Sequence, residues 1–302
     1  MNLNRFEVVG TLKSMNLIQD TKNGIGIVRG NMIIEVVDGE KINNIDINVY
    51  APETFSKGTK NRAYPGLITA MNEYKAIDDY GREEANVVSA SGQDSYNVYS
   101  TKDGDKRESN RLQLSFISRQ DKNAEQKAIL QVKAVIMGYD EEFNQDGEPN
   151  GMTKINAINI GYGERINKLV GLKVSNELGM DNFFQVGDVA NLSVNIENYA
   201  TVSETKTDST AAFGNFIPVV RTSTYTRQLL VSGGSYTEEE PFQPEDFEAI
   251  QSGLTQSWLE AQQRNKDKNN TPTQAAFGKV SSSNSNPFNA TETQVKTADL
   301  PF

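Results

Sequence analysis

The sequence predicts a mainly β protein: two tandem OB-fold-like β-barrels, then a short helix and a disordered C-terminal tail. Three observations carry this. Short Val/Ile-rich stretches, broken by Asn-Gly and Asp-Gly turns, fill the first 237 residues. A weak internal repeat holds an offset of 124 residues. After residue 237 the composition turns acidic and helical, then polar and featureless.

The strand candidates of the first half are "RFEVVGTLK" (5–13), "IVRGNMIIEVV" (27–37), "INNIDINVYA" (42–51), "NVVSASG", "SYNVYS" and "RLQLSFISR". "YPGLITAMNEYKAI" (64–77) is the one good helix candidate before residue 240. The second half offers "AILQVKAVIMGY" (128–139), "KINAINIGYG" (154–163), "RINKLVGLKV" (165–174), "VANLSVNIENY" (189–199) and "TYTRQLLVSG" (224–233). In the repeat, "FEVVGTLKSM" (6–15) lies over "LQVKAVIMGY" (130–139), and "EKINNIDINVY" (40–50) over "ERINKLVGLKV" (164–174). Two blocks sharing one offset favour duplication over chance similarity among Val/Ile/Asn-rich strands. Each half is then about 120 residues of five or so strands, the size of a small Greek-key barrel. An immunoglobulin-like sandwich is the main alternative; the helix after the third strand favours OB. The expected units are residues 1–123 and 124–237 for the two barrels, 238–265 for an acidic segment and helix, 266–297 for a linker and 298–302 for a tip.

Phe247, Ile250, Leu254 and Trp258 recur at spacings of three and four, one apolar face of a helix of about 20 residues. Pro244 suits its first turn, and Glu245 and Asp246 its positive end. This face is expected to dock on the second barrel; a partner or self-association face is the other reading. Residues 266–297, rich in Asn, Ser, Thr, Gln, Lys and Pro, lack the apolar surface to offset ordering entropy.

Composition excludes several chemistries. There is no Cys and no His, hence no thiol nucleophile, no His base, no Cys/His zinc site and no disulfide. "DEEFNQDGEPNG" (140–151) loosely resembles a calcium loop but lacks the acid spacing and closing Glu of an EF-hand, and reads as a solvated turn. With no nucleophile motif and no phosphate-cradling Gly loop, an enzyme is not expected, and neither is a cofactor or metal. The N-terminus has no apolar signal region and no run of about 18 apolar residues occurs, so the chain reads as soluble and cytoplasmic. The net charge of −10 argues against indiscriminate duplex binding but leaves room for a local basic groove.

Holding a single nucleic-acid strand takes rings for stacking and cations for phosphates. The first half interleaves both: Lys57, Lys60, Arg62 and Tyr64 in one stretch, then Tyr96, Tyr99, Lys102, Lys106, Arg107, Arg111 and Phe116 around what reads as a long hairpin tip. The second half offers Arg165, Phe183, Phe184, Phe213, Phe216, Arg221, Tyr225 and Arg227. For any one ring a packing role competes with stacking; the clustering carries the reading.

The chain ends Asp299-Leu300-Pro301-Phe302. A partner with a small apolar pocket could take the Phe ring, with basic groups for the α-carboxylate and Asp299. This "DLPF" end resembles the acidic tip of bacterial single-stranded DNA-binding proteins (SSB), and the opening "NLNRFEVVGTLK" is similar to the start of that family's OB domain. The chain departs from the family in carrying two candidate barrels and only one acid in the tip. The resemblance implies a sequence-nonspecific SSB, of a bacteriophage or mobile element, that coats single strands. It further implies that the tip recruits replication, recombination and repair proteins through Asp299, Pro301 and Phe302. A phage structural or adaptor protein of tandem β-domains and a strand-annealing recombination protein are the alternatives. Whether the chain is a monomer or a dimer is left open by the sequence.

Overall fold

The computed structural model describes residues 3–144, 146–161, 165–206 and 219–270. Five strands form the first barrel: β1 (Asn4–Lys22), β2 (Ile25–Asp38), β3 (Lys41–Pro52), β4 (Val87–Ser100) and β5 (Lys106–Arg119). Their order is β2-β3-β5-β4-β1, and β1 pairs back onto β2 to close the ring. All neighbours are antiparallel except β3 and β5. The second barrel uses β6 (Lys127–Phe143), β7 (Pro149–Ile160), the short β8 (Ile166–Lys168), β9 (Leu172–Ser175), β10 (Val189–Lys206) and β11 (Val219–Tyr236). Its ring, β6-β10-β11-β9-β7 closed by β6–β7, has the same connectivity, with β9 and β11 as the parallel pair. Closure removes the exposed edges that a five-stranded sheet would otherwise present. Both halves thus have the OB-type topology, and the fold is mainly β.

The repeat recurs in the irregularities as well as in the strands. The β1–β2 register slips between Leu12 and Ser14, and the β6–β7 register between Ile136 and Gly138. The skipped residues, Lys13 and Met137, hold the offset of 124. Likewise the β4–β5 register shifts at Ser91/Gly92, with Ser115 of β5 the extra residue, and the β10–β11 register at Ser193/Val194, with Ser232 of β11 the extra residue. A bulge is a local device that re-aims a strand, so its recurrence at matching positions favours duplication over chance. Val36 opposite Asn43 finds its counterpart in Asn159 opposite Asn167.

β1 also pairs antiparallel with β6, from Asn4↔Val132 to Val9↔Lys127, joining the barrels in one sheet. Alternate residues on these strands, Phe6 and Val8 with Leu130 and Val132, point into a hydrophobic core that runs through both barrels. Gly30 makes the close β1–β2 approach possible. Its φ is +143°, and a side chain there would put Cβ 2.0 Å from the Asn16 carbonyl oxygen.

Helix α1 (Ala63–Glu73) follows β3, as expected, and buries Tyr64, Leu67 and Ala70 against the first barrel. The Asn61 side chain accepts from the Ala63 N–H at its start. It stops short of residue 77: Tyr74 is extended, Asn86 Oδ1 accepts from the Lys75 N–H, and a separate turn α2 (Ile77–Tyr80) follows. At the matching place in the second barrel there are only two 3-10 turns, Asn176–Leu178 and Met180–Asn182. Met180 and Phe184 join the core there instead of a helix.

The C-terminal helix α3 runs from Pro244 to Asn270. Ile250, with Phe242, Phe247 and Leu254, packs on Val135, Ile158 and Val189 on the outside of the second barrel. Further along, Asn265 Nδ2 donates to the Thr101 carbonyl at the tip of the β4–β5 hairpin. The helix therefore reaches both barrels. It also extends through residues 266–270, which the sequence reading gave to the linker; the rest of that linker lies outside the described residues.

Candidate nucleic-acid interface

Strands β2, β3, β5 and β4 share an outward face, because residues alternate between core and solvent. Next to buried Val28 and Val49, Arg29 stands opposite Tyr50, which is 52% exposed. Asn31 stands opposite Asn48, Asn48 beside Gln113 across the parallel pair, and Gln113 opposite Gln93. Towards the hairpin tip Ser95 lies opposite Arg111, and Tyr99, 45% exposed, opposite Arg107. The result is a strip of amides with a ring and a guanidinium near each end. Amides can meet base edges or sugars, rings can stack, and guanidinium groups can meet phosphates.

Beside the Tyr50 end sits the loop carrying Lys57, Lys60 and Arg62. It is tied back by Glu53 N–H to the Gly26 carbonyl and Phe55 N–H to the Thr59 carbonyl. Among the described residues, Lys57, Lys60, Arg62, Lys102, Arg107 and Arg111 make no ion pair, and all are exposed. Arg29 is engaged: it bonds Asp20 at 2.9 Å, and the Asp20 carboxyl is held below its usual range by the Thr21 N–H first and Arg29 second.

Most other predicted residues are placed elsewhere. Tyr64 is only 9% exposed, and its hydroxyl accepts from Gln19 Nε2. Phe184 is 5% exposed and belongs to the core. Neither can stack on a base, which corrects the sequence reading: ring type alone did not distinguish a core anchor from a surface platform. Tyr96 is on the opposite face of β4 from Tyr99 and donates its hydroxyl proton to Glu108 Oε1 at 2.7 Å. Burial, then the hydrogen bond to Glu108, raises that phenol above its usual range. Lys106 pairs with Glu108 at 2.7 Å, Arg221 with Glu204 at 2.7 Å, and Arg227 donates to the Asn110 carbonyl at 3.2 Å. Phe116, 59% exposed, stands opposite Ser91 on the same outward face, the next outward pair after Gln93 and Gln113, so it extends the strip with a further ring. Phe183 and Tyr225 are well exposed on the second barrel, and Arg165 is exposed just before β8. Phe213, Phe216 and the whole tip, Asp299, Leu300, Pro301 and Phe302, lie outside the described residues.

The sequence reading missed Arg29, Asn31, Asn48, Tyr50, Gln93 and Gln113. The signal was available, since Tyr50 sits between Val49 and Ala51 in an alternating strand.

The second barrel's corresponding face is electrostatically closed. Lys154 and Lys173 both reach Glu142, at 3.5 and 2.7 Å. Burial pulls the Glu142 carboxyl up, but hydrogen bonds from Lys173 and Asn150 outweigh it and hold the group below its usual range. Glu197 accepts from Lys41 of the first barrel at 2.9 Å and from Gln228 at 2.6 Å. Among the described residues no group of three or more acids could hold a metal ion, and no helix is long and apolar enough to cross a membrane. The 140–151 segment spans the end of β6 and the turn into β7, where Asn144 Oδ1 accepts from the Asp146 and Glu148 N–H groups.

The sequence profile of the YorF family matches residues 2–271, spanning both barrels and α3. The chain belongs to the YorF family. No curated protein sequence matches this YorF-family chain. Among solved structures it is similar to the single-stranded DNA-binding protein of Thermus aquaticus, with 14% identity and a TM-score of 0.45 over 80% of this chain and 96% of that one. A deletion variant of the same Thermus protein gives 13% identity and 0.45 over 81% and 98%. The mitochondrial single-stranded DNA-binding protein Rim1 of S. cerevisiae gives 15% identity and 0.28 over 40% and 98%.

Proposed function

We propose that this protein binds single-stranded DNA with little regard to sequence, and is not an enzyme. The observation that carries the reading is the strip on the first barrel: Tyr50 and Tyr99 bracket an amide ladder, with Arg107 and Arg111 uncommitted beside it. Rings accept any base, and free cations can follow the phosphates of a single strand although the protein is acidic overall. The resemblance of both chain ends to the SSB family supports the same reading. The first barrel supplies the grip, because the second spends Lys154 and Lys173 on Glu142. The tip, Asp299 to Phe302, recruits replication, recombination or repair proteins in the cytoplasm of a bacterium or of a phage-infected host. The adaptor alternative asks α3 for an assembly face, but Ile250 already packs on the second barrel.

A fluorescence titration with oligo-dT at several salt concentrations tests the binding. Affinity should fall with salt by a log–log slope of about 0.7 per phosphate contact. Absence of binding at low salt overturns the proposal. Deleting Pro301 and Phe302 should abolish partner pull-down and spare DNA binding.

A further inference from the structure

Helix α1 lies beside the end of β5 in the first barrel, tied there by Arg119, which donates to the Glu73 carbonyl. The second barrel has only short turns in the matching place. The register shows what else is missing. In β5, Phe116 and Ile117 follow the bulge residue Ser115 and stand opposite Ser91 and Ala90. In β11, Gly233 and Gly234 follow Ser232 and stand opposite Ser193 and Leu192. Ile117 packs on the core of the first barrel. Gly234 has nothing to pack, and a side chain there would put Cβ 3.1 Å from Leu192 Cδ2 and 3.4 Å from Phe184 Cε2.

The result is a pocket of about 220 Å³, lined by buried Leu192, Val231 and Phe184 and by Leu178, Phe183 and Tyr236, which are exposed. Its wall is fixed: Tyr236 donates its hydroxyl proton to the Phe183 carbonyl at 2.7 Å, and its ring stands 4.8 Å from that of Phe184. A cavity of roughly 150 Å³ already takes a benzene ring, so this one fits a phenylalanine side chain. Val174 and Met180 also line an adjoining polar slot, which holds Glu141 and Asp181 and no lysine or arginine. Neither acid forms an ion pair among the described residues; the nearby Lys154 and Lys173 go to Glu142. An apolar pocket beside two unpaired carboxylates suits a segment that presents a ring and a cation on one side.

Residues 271–302, outside the described residues, hold three phenylalanines. Phe302 brings Asp299 and the α-carboxylate, which the slot repels. Phe288 has no charged residue within three positions. Phe277, in "AAFGKV", is followed two residues on by Lys279. In an extended segment residues two apart face the same way, about 7 Å from each other. Reach decides which copy supplies the segment. The 27 residues of α3 make about 40 Å of helix. The helix starts near the pocket, where the Phe242 N–H donates to the Gly187 carbonyl, and ends beyond the Thr101 contact on the first barrel. The seven residues from Asn270 to Phe277 cover at most about 25 Å. The segment therefore falls short of its own pocket.

We propose that the pocket at Gly233 and Gly234 receives Phe277 of a second copy of this chain, with Lys279 on the carboxylates of Asp181 and Glu141. Pocket and segment are different surfaces, so the contact is head-to-tail and links copies into open chains. It does not depend on the single-strand reading.

Sedimentation velocity of the full chain tests the contact. The average mass should rise above that of the monomer with concentration and fall back with salt. Phe277→Ser should weaken association roughly tenfold or more, the size of one buried ring, and Phe302→Ser should not. Gly234→Ile, which copies the first repeat, should weaken it likewise by filling the pocket. Asp181→Lys, at an exposed position, serves should that variant not fold. Mixed one to one, the Phe277→Ser variant and the pocket variant share one intact pocket and one intact segment, so they should form pairs and grow no further. A chain that is monomeric at every concentration, association that these changes leave unmoved or that Phe302→Ser removes, or a mixture that stays monomeric overturns the proposal.

Discussion

Replacing Asp94 by Asn should change how stability depends on pH, and the structure sets sign and size. Burial pushes the Asp94 carboxyl up to about 7 from an ordinary 3.8, against the Asn110 amide and the Ser95 N–H, which lower it. The folded state therefore holds a proton that the unfolded chain releases near pH 4. Stability is full below about pH 4, declines as pH rises from there through 7, and is flat above. A shift of about 3 units corresponds to roughly 4 kcal/mol across that window. The Asp94→Asn side chain carries no proton to lose, and its oxygen can still accept from Asn110. Urea unfolding at pH 5, 6, 7 and 8 should show the wild type weakening with pH and the variant nearly level, with the variant the more stable at pH 8. Parallel curves for the two proteins would refute the reasoning. The nearby Glu108 works in the opposite sense: burial raises it, but hydrogen bonds from Lys106, Lys168 and Tyr96 bring it down to about 2. Its contribution is present above about pH 4.5 and lost on acidification towards 2, so it does not overlap the Asp94 limb.

Three further outcomes are expected. Gly30→Ala should destabilise the fold by at least about 1 kcal/mol in urea unfolding, since the added carbon meets the Asn16 carbonyl and φ is unfavourable. Ile250→Ala removes the buried anchor of α3, at a cost of about 2–5 kcal/mol to helix docking, and hydrogen exchange should rise in α3 before it rises in β1 and β6. Tyr99→Ala should weaken oligo-dT binding by about 1–3 kcal/mol, and Arg107→Ala should lower the salt slope by about 0.7, whereas Lys173→Ala should alter neither in fluorescence titration.

Much of the fold was legible because period-two alternation and turn residues act locally. The repeat was legible because two blocks kept one offset, and α3 because its apolar residues recur at helical spacing. Barrels were expected from strand number and size, but the particular pairings of β1 with β2, β4 and β6 were not legible, since they are decided by partners far along the chain. The candidate site was legible in part. Tyr96 and Tyr99 are three apart on one strand, so period two already separates their faces. The burial of Tyr64 and Phe184 depends on tertiary packing that ring identity does not encode. The commitment of Lys154 and Lys173 to Glu142 was invisible for the same reason: a lysine in a list carries no sign of its counter-ion.

The seam between β1 and β6 has a consequence for how the halves could diverge. Two units on separate chains would meet only at sufficient concentration, and every substitution in one would be copied in the other. Here the contact is intramolecular, so dilution cannot part the halves while the chain is folded. Each half is also free to drift alone. One carries Arg107 and Arg111 without an ion pair among the described residues, and Asp94; the other pairs Lys154 and Lys173 with Glu142 and carries Ile196. Fusion thus permits a division of labour that a symmetric pair of identical subunits could not encode.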